Sequence, residues 1–247
     1  MSDESIAVLR RDYQRLLERL ERNQRHFNRL ARSAFRLQEA ERRRLARELH
    51  DGLGQNLTAL QHQLSVLIDG LPAEPRRTHE QAERALAICR QTLDDTRQMS
   101  RLLRPQVLDD LGLSAALHWL CRSVRESSVL EVELQIDDEP ELEGELATVI
   151  FRVAQEALSN VMRHAKAQRV RVNLREQSNW ICLEVEDDGC GITSETQSNS
   201  IASGSSGIGG MKERLRLYGG ELQLQAGRQG GTRLRGLLPL SKDEDLE

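Results

Sequence analysis

The stretch QEALSNVMRHA, Gln155 to Ala165, closes a helical pattern that begins at about Leu142. Glu156, Asn160 and His164 recur in it every four residues. That spacing sets three side chains on one helical face, about 40° apart in rotation and one turn apart in height. A carboxylate, an amide oxygen and an imidazole in such a row can hold a hydrated magnesium ion and touch phosphate oxygens. Magnesium suits this because it keeps few protein ligands and shares substrate phosphates. A solvated polar stripe has the same spacing, so the flanking sequence has to separate the two readings.

Before that helix, VLEVELQI (Val129 to Ile136) alternates like a strand, and a short helix is expected from Leu113 to about Arg125. After it come two more strand patterns, RVRVNLRE (Arg169 to Glu176) and WICLEVED (Trp180 to Asp187). A loop rich in Ser and Gly covers Asp188 to Gly207, and a helix is expected from about Gly209 to Tyr218. ELQLQA and TRLRGLLPL then read as two closing strands. Strands in hairpins beside a few helices predict an α+β layer, one mixed sheet with helices on one face.

Two glycine-bearing stretches interrupt this pattern. In EDDGCGI a strand ends at Asp187, and Gly189 and Gly191 follow. A buried carboxylate at a strand end can accept a hydrogen bond from an exocyclic amine such as that of adenine. The glycines let the chain turn tightly against a ligand. In GSSGIGGMKERL, Gly207, Gly209 and Gly210 lead into a helix whose first N–H groups suit an anion. This is not a Walker loop, since Lys212 is not followed by Ser or Thr. Each stretch alone also fits an ordinary turn or flexible loop.

The N-terminal half has a different character. Ile6, Leu9, Tyr13, Leu16, Leu20, Phe27, Leu30, Ala34 and Leu37, with Asn23 filling the one missing place, follow alternating three- and four-residue steps, a heptad seam for pairing with another helix. Glu41, Leu45 and Leu49 then step by four, a stutter expected to change supercoiling locally. The seam resumes through Leu53, Leu57, Leu60, Leu64 and Leu67. DGLPAEP (Asp69 to Pro75) breaks the helix, and a second helical pattern runs from Ala82 to Leu103 before Arg104-Pro105. Such a hairpin leaves apolar surface uncovered, and two copies would bury it as a four-helix bundle.

Composition agrees with long amphipathic helices joined to a compact domain: 38% hydrophobic, 30% charged and only 3% aromatic. Net charge is −4, yet residues 1–50 hold 13 Arg against 8 acidic residues. The arginines alternate with glutamates as on the solvated face of a coiled coil, which argues against direct nucleic-acid binding. Cys89, Cys121, Cys182 and Cys190 form no CxxC pair, so neither a zinc site nor a disulfide framework is expected. No run approaches the roughly 18 apolar residues of a membrane span, and no apolar signal core opens the chain. A cytoplasmic protein is the expectation.

Taken together and in order, the three C-terminal stretches resemble the nucleotide-binding boxes of the GHKL superfamily (gyrase, Hsp90, histidine kinase and MutL). QEALSNVMRHA is similar to its N box, DDGCGI to its first glycine box and GIGGMKERL to its second. The resemblance implies a GHKL α/β sandwich with ATP and Mg²⁺ as cofactors. It implies Asn160 as the magnesium ligand, with Glu156 in a catalytic position near metal and phosphates and His164 beside them. Asp187 would contact the adenine, Thr232 would reach it through water, and Gly189 and Gly191 would form the first glycine turn. Gly207, Gly209 and Gly210 would shape the edge of a lid lying between Gly191 and Gly207.

ERRRLARELHDGLGQNLTAL (Glu41 to Leu60) resembles the phosphoacceptor helix of the nitrate-sensor type of bacterial sensor histidine kinase. LLRPQVLDDLGLSAAL (Leu102 to Leu117) resembles that family's linker. A histidine attacking a γ-phosphate must present a neutral, exposed nitrogen, and a neighbouring base can orient its other proton. His50 is followed by Asp51, which can do so. The resemblance assigns Gln55 to placing water for dephosphorylation of a partner regulator. Each interior glycine costs a helix about 1 kcal/mol against alanine. Ala46 and Gly54 flank His50 by one turn and are read as leaving room for an approaching domain. His26 and His62 are expected to face solvent, His118 to be a packing residue, and His79-Glu80 is a weaker rival acceptor.

The expected organisation is a coiled-coil signalling helix (1–40), a dimerising phosphotransfer hairpin (41–104), a linker (105–126), an ATP-binding domain (127–241) and a tail (242–247). The expected function is a homodimeric kinase that labels His50 and passes the phosphoryl group to an aspartate of a response regulator. The resemblance implies a LuxR-type output on that regulator, and a separate sensory protein is a further expected partner. Two other readings stay open: a phosphatase-dominant or silent dimeric scaffold, and a GHKL-fold serine kinase or ATPase.

Overall fold

The computed structural model describes residues 3–70, 76–103, 105–137, 142, 144–191, 207–227 and 230–240. The expected lid (192–206), most of the expected breaker (71–75), Arg104 and the tail lie outside the described residues. The chain divides into two units, residues 1–41 and 42–247. Helix α1 (Asp3–Glu48) forms the first unit and runs into the second. Within the first unit Tyr13, Leu16, Leu20, Phe27, Leu30 and Leu37 are all exposed. The predicted seam is therefore an uncovered apolar stripe on a single helix.

In the second unit, α1 widens into a π-helical turn, Leu49–Gly54, before α2 (Gln55–Gly70). The expected stutter thus runs into a π turn, which the sequence pattern did not foresee. Each four-residue step overruns the α-helical repeat by about 40°. A π turn takes up about one extra residue, near 100°, at a single point. The turn does not require the glycine at Gly52, for a Cβ there would meet nothing within 4 Å.

Helix α3 (Arg76–Leu103) packs back on this segment with Leu86, Cys89, Leu93, Thr96 and Ser100 buried. The Ser100 hydroxyl donates to the Ala46 carbonyl at 2.9 Å, and the Cys89 thiol to that of Leu57 at 3.4 Å. Ala46 is buried. Its small size serves close helix packing, and the expected opening beside His50 on that side is absent. Leu53, Leu60 and Leu67 remain 52%, 46% and 61% exposed, a stripe at seven-residue spacing that the hairpin does not cover.

Helix α4 (Gln106–Asp110), a short turn unforeseen in the sequence, precedes α5 (Gly112–Ser127). Helix α5 buries Leu113, Ala116, Leu117, Leu120, Cys121 and Val124, so this part of the expected linker packs into the core. His118 is exposed on α5 and is not a packing residue. Next come β1 (Glu131–Asp137), α6 (Gly144–Asn160) with a second π turn at Val161–Ala165, β2 (Arg169–Gln177) and β3 (Trp180–Asp187). Helix α7 (Gly207–Leu217), β4 (Glu221–Ala226) and β5 (Thr232–Pro239) complete the fold.

The sheet order is β1-β2-β3-β5-β4, with β1 and β2 parallel and every other pair antiparallel. This is the expected α+β sandwich. Val170, Val172 and Leu174 of β2, Ile181, Leu183 and Val185 of β3, and Leu234 and Leu238 of β5 form the buried face. Helix α6 brings Val149, Ile150, Phe151, Val153 and Ala154 into the same core. The other face is charged, as period-two alternation requires. At its centre the buried Glu184 pairs with Arg233 at 2.8 Å and Arg235 at 3.3 Å. Burial works against the charge on Glu184, but the arginines prevail and hold its carboxyl below the usual range. The four cysteines are free thiols, and burial pushes that of Cys121 up to about 11.

Candidate functional site

The functional residues expected from the sequence fall into two clusters. One is a cradle at the end of α6. Strand β3 delivers Asp187, 6% exposed, at the point where it leaves the sheet. Its Oδ1 accepts a hydrogen bond from the Gly189 N–H at 2.8 Å, and the Thr232 N–H also donates to the carboxylate. Burial raises its carboxyl above the ordinary range, with the two N–H donors opposing. The result is a carboxylate fixed in direction by main chain, with acceptor capacity left for a ligand amine.

Strand alternation turns the adjacent Asp188 outward. Its Oδ1 accepts from the N–H groups of Gln168 (2.8 Å) and Arg169 (2.9 Å), which hold its carboxyl below the usual range. Asp188 therefore anchors the start of β2, a role the sequence reading missed although the paired Asp-Asp at a strand end was the available signal.

Two glycines make the cradle possible. A Cβ on Gly189 would lie 2.2 Å from the Ala165 carbonyl oxygen, and the Cys190 N–H donates to that same oxygen at 2.8 Å. The first glycine turn is thereby docked on the π turn that ends α6. Gly231, also missed, has φ +71°, and a Cβ there would lie 2.1 Å from the Asp187 carbonyl oxygen. Only glycine allows the β4–β5 turn to approach Asp187 this closely. Gly191 approaches the same turn, its would-be Cβ lying 3.2 Å from the Gly231 carbonyl.

Glu156 and Asn160 sit half-buried on successive turns of α6. Gly207 packs against the Glu156 carboxylate so closely that a Cβ would overlap its Oε1. Gly207, Gly209 and Gly210 lie inside the first turn of α7. His164 falls in the π turn and is exposed, so it does not continue the Glu156–Asn160 row with simple α-helical spacing. Two approaches thus converge on α6 and the π turn that ends it: Gly207 on Glu156, and Gly189, which also holds Asp187, on Ala165, with Thr232 donating to the same Asp187.

The second cluster lies on the hairpin. His50 and Asp51 are exposed within the first π turn, and Gln55 opens α2 just below it. An exposed imidazole on a rigid helix can meet an incoming phosphate without displacing core packing.

The buried Arg152 of α6, 4% exposed, donates to the Leu103 carbonyl at the end of α3 (2.7 Å) and to Gln155 Oε1 (2.7 Å). It ties the cradle's helix to the hairpin's last turn. Among the described residues no group of three or more His, Cys, Asp or Glu could hold a metal by itself. No helix there is long and apolar enough to cross a membrane.

Residues 41–108 match the family model described as histidine kinase (HisKA_3). Residues 145–242 match the one described as histidine kinase-, DNA gyrase B- and HSP90-like ATPase. The chain is 34% identical over 85% of its length to the sensor histidine kinase MctS of Rhizobium johnstonii. It is 32% identical over 95% of its length to the signal transduction histidine-protein kinase/phosphatase UhpB of Salmonella typhimurium. It spans 45% of each of these two relatives, about half their length. The fold is also that of the blue-light activated histidine kinase of Erythrobacter litoralis, with TM-score 0.50, 22% identity, and coverage of 69% of this chain and 65% of that one. With a HisKA_3 hairpin followed by a GHKL-type ATPase domain, the chain belongs to the histidine kinases.

Proposed function

We propose that the protein is an ATP-dependent histidine kinase that phosphorylates its own His50 and passes the phosphoryl group to an aspartate of a response regulator. The observations that support this reading are two approaches at the end of α6: the main-chain-held Asp187 docked through Gly189 on Ala165, and Gly207 packed on Glu156. Asp187 accepts the adenine amine, Thr232 reaches the base through water, and Gly189 and Gly191 shape the turn beside it. Gly207, Gly209 and Gly210 present main-chain N–H groups to phosphates. Asn160 is the protein ligand for Mg²⁺, with His164 near the phosphates. One amide oxygen suits an ion that takes its other ligands from phosphates and water, which fits the lack of a three-ligand cluster among the described residues. Such an ion supplies charge neutralisation at the transferring phosphate.

Glu156 acts near the metal and phosphates, and Asp51 orients the second imidazole proton of His50. Gln55 positions water for dephosphorylating the regulator. UhpB, which is named a kinase/phosphatase, favours this second activity. The domain organisation follows the sequence reading: signalling coil 1–40, phosphotransfer hairpin 41–104, connection 105–126, ATP-binding domain 127–241. The exposed stripe of Leu53, Leu60 and Leu67 supports a homodimer in which a second hairpin covers it. A LuxR-type output on the regulator, a separate sensory partner and a cytoplasmic location complete the proposal.

His50→Gln should abolish acid-labile ³²P incorporation from γ-labelled ATP while ATP-analogue binding stays intact. Persistent labelling would sink the assignment. Leu60→Asp should turn dimers into monomers in sedimentation velocity, and an unchanged dimer would refute the hairpin interface.

A further inference from the structure

A cavity of about 420 Å³ opens beside His50, between α2 and α3. Its polar lining comprises His50, Gln55, Thr58, His62, Thr96 and Arg97. These groups sort by what they can donate. The Thr58 hydroxyl gives its proton to the Gly54 carbonyl at 2.8 Å, and the Thr96 hydroxyl to that of Thr92 at 2.7 Å. A hydroxyl has one proton, so both threonines turn lone pairs toward the cavity. Apart from His50, the remaining donors are the Gln55 amide, the His62 imidazole and the Arg97 guanidinium.

The π turn is what brings His62 to this place. His50 and His62 are twelve residues apart. In an uninterrupted α-helix they would point about 120° apart, whereas one residue absorbed by the π turn leaves about 20°. Arg97 reaches the cavity from the facing helix. Its contact with Asp94 is long, 3.7 Å, and both side chains are exposed. Such a pair is weak and restrains the guanidinium little.

We infer that His62 and Arg97, with Gln55, form an oxyanion cradle for the phosphoryl group carried by His50. The inference rests on His50 being the acceptor. A phosphorylated imidazole carries a dianionic group that is stabilised by charge-assisted hydrogen bonds from guanidinium and imidazole donors. The cradle therefore favours the phosphorylated hairpin over return of the group to ADP.

The test uses the full chain phosphorylated by Mg-ATP. The second ionisation of the phosphoryl group is followed by ³¹P NMR against pH, and the rate of its return to added ADP is measured. His62→Gln and Arg97→Gln should each weaken that ionisation about three- to tenfold and speed the return by a similar factor, one pKa unit being tenfold. Arg97→Lys should keep part of the effect. Both side chains are exposed, so circular dichroism should be unchanged. Arg84→Gln, at an exposed site thirteen residues before Arg97 on α3, should behave as wild type. Wild-type titration and return rates in both cavity variants would overturn the cradle, as would an equal shift in Arg84→Gln. Absence of acid-labile phosphate on His50 in the wild type would overturn the acceptor assignment itself.

Discussion

The chain widens an α-helix into a π turn at two places, Leu49–Gly54 and Val161–Ala165, and the two differ in almost every other respect. The first contains two glycines, buries none of its residues and lies on the hairpin surface. The second contains no glycine, buries Val161 and Ala165, and receives the Gly189 turn on its last carbonyl. The glycine that the second turn needs sits on the loop packed against it. In the hairpin the π turn changes which side chains share a face. In the cradle it changes where a loop can dock. Both positions carry residues of the proposed chemistry, which agrees with the tendency of π turns to occur at functional sites.

The contrast breaks most sharply under one kind of substitution. Gly189→Ala forces a Cβ into the Ala165 carbonyl, where main chain cannot swing aside. It should cost about 1–3 kcal/mol of stability and lower ATP-analogue affinity at least tenfold, read by thermal unfolding and calorimetric titration. Wild-type affinity would mean that the docked turn is not part of the nucleotide site.

The next largest effect concerns the charge on Asp187. Burial raises its carboxyl above the ordinary value. Its contribution to the stability of the unliganded fold is thus full below the unfolded-state value and is lost as pH rises through the raised one. Nucleotide binding needs the ionised acceptor, so affinity should strengthen over that same rise. Asp187→Asn should bind weakly and flatten the profile, as measured by analogue titration from acidic to neutral pH. A pH profile identical to wild type would remove Asp187 from the adenine contact.

The smallest effect has the opposite sign to the first. Gly52→Ala meets open space and should stabilise the hairpin by about 0.5–1 kcal/mol through the lower entropy of the unfolded chain and better helix propensity. Measured destabilisation would show that the first π turn depends on glycine after all.

Much of the fold was legible in the sequence. WICLEVED and ELQLQA form strands over the residues expected, because alternation of apolar and polar side chains records which face of a sheet is buried. The long helix ending in QEALSNVMRHA was also legible, apart from its last turn. The π turns were not, since helical periodicity detects drift in a seam but not whether supercoiling or an inserted residue absorbs it. His118 was misplaced because one polar residue in an amphipathic helix does not reveal its own rotation. His62 was read correctly as exposed, while its alignment with His50 depended on the π turn upstream.

What the sequence determined by itself is the element order, the heptad stripes and the three stretches that resemble nucleotide-binding boxes. These are properties of neighbouring residues, written in period and composition. Only the tertiary structure decided that Gly189 rests on Ala165, that Gly231 closes on Asp187, that Ala46 lies beneath Ser100, and that His50 and His62 share a cavity. Those are approaches between segments far apart in the chain. They depend on where Cβ atoms are missing and on how one inserted residue rotates all that follows, which no local pattern records.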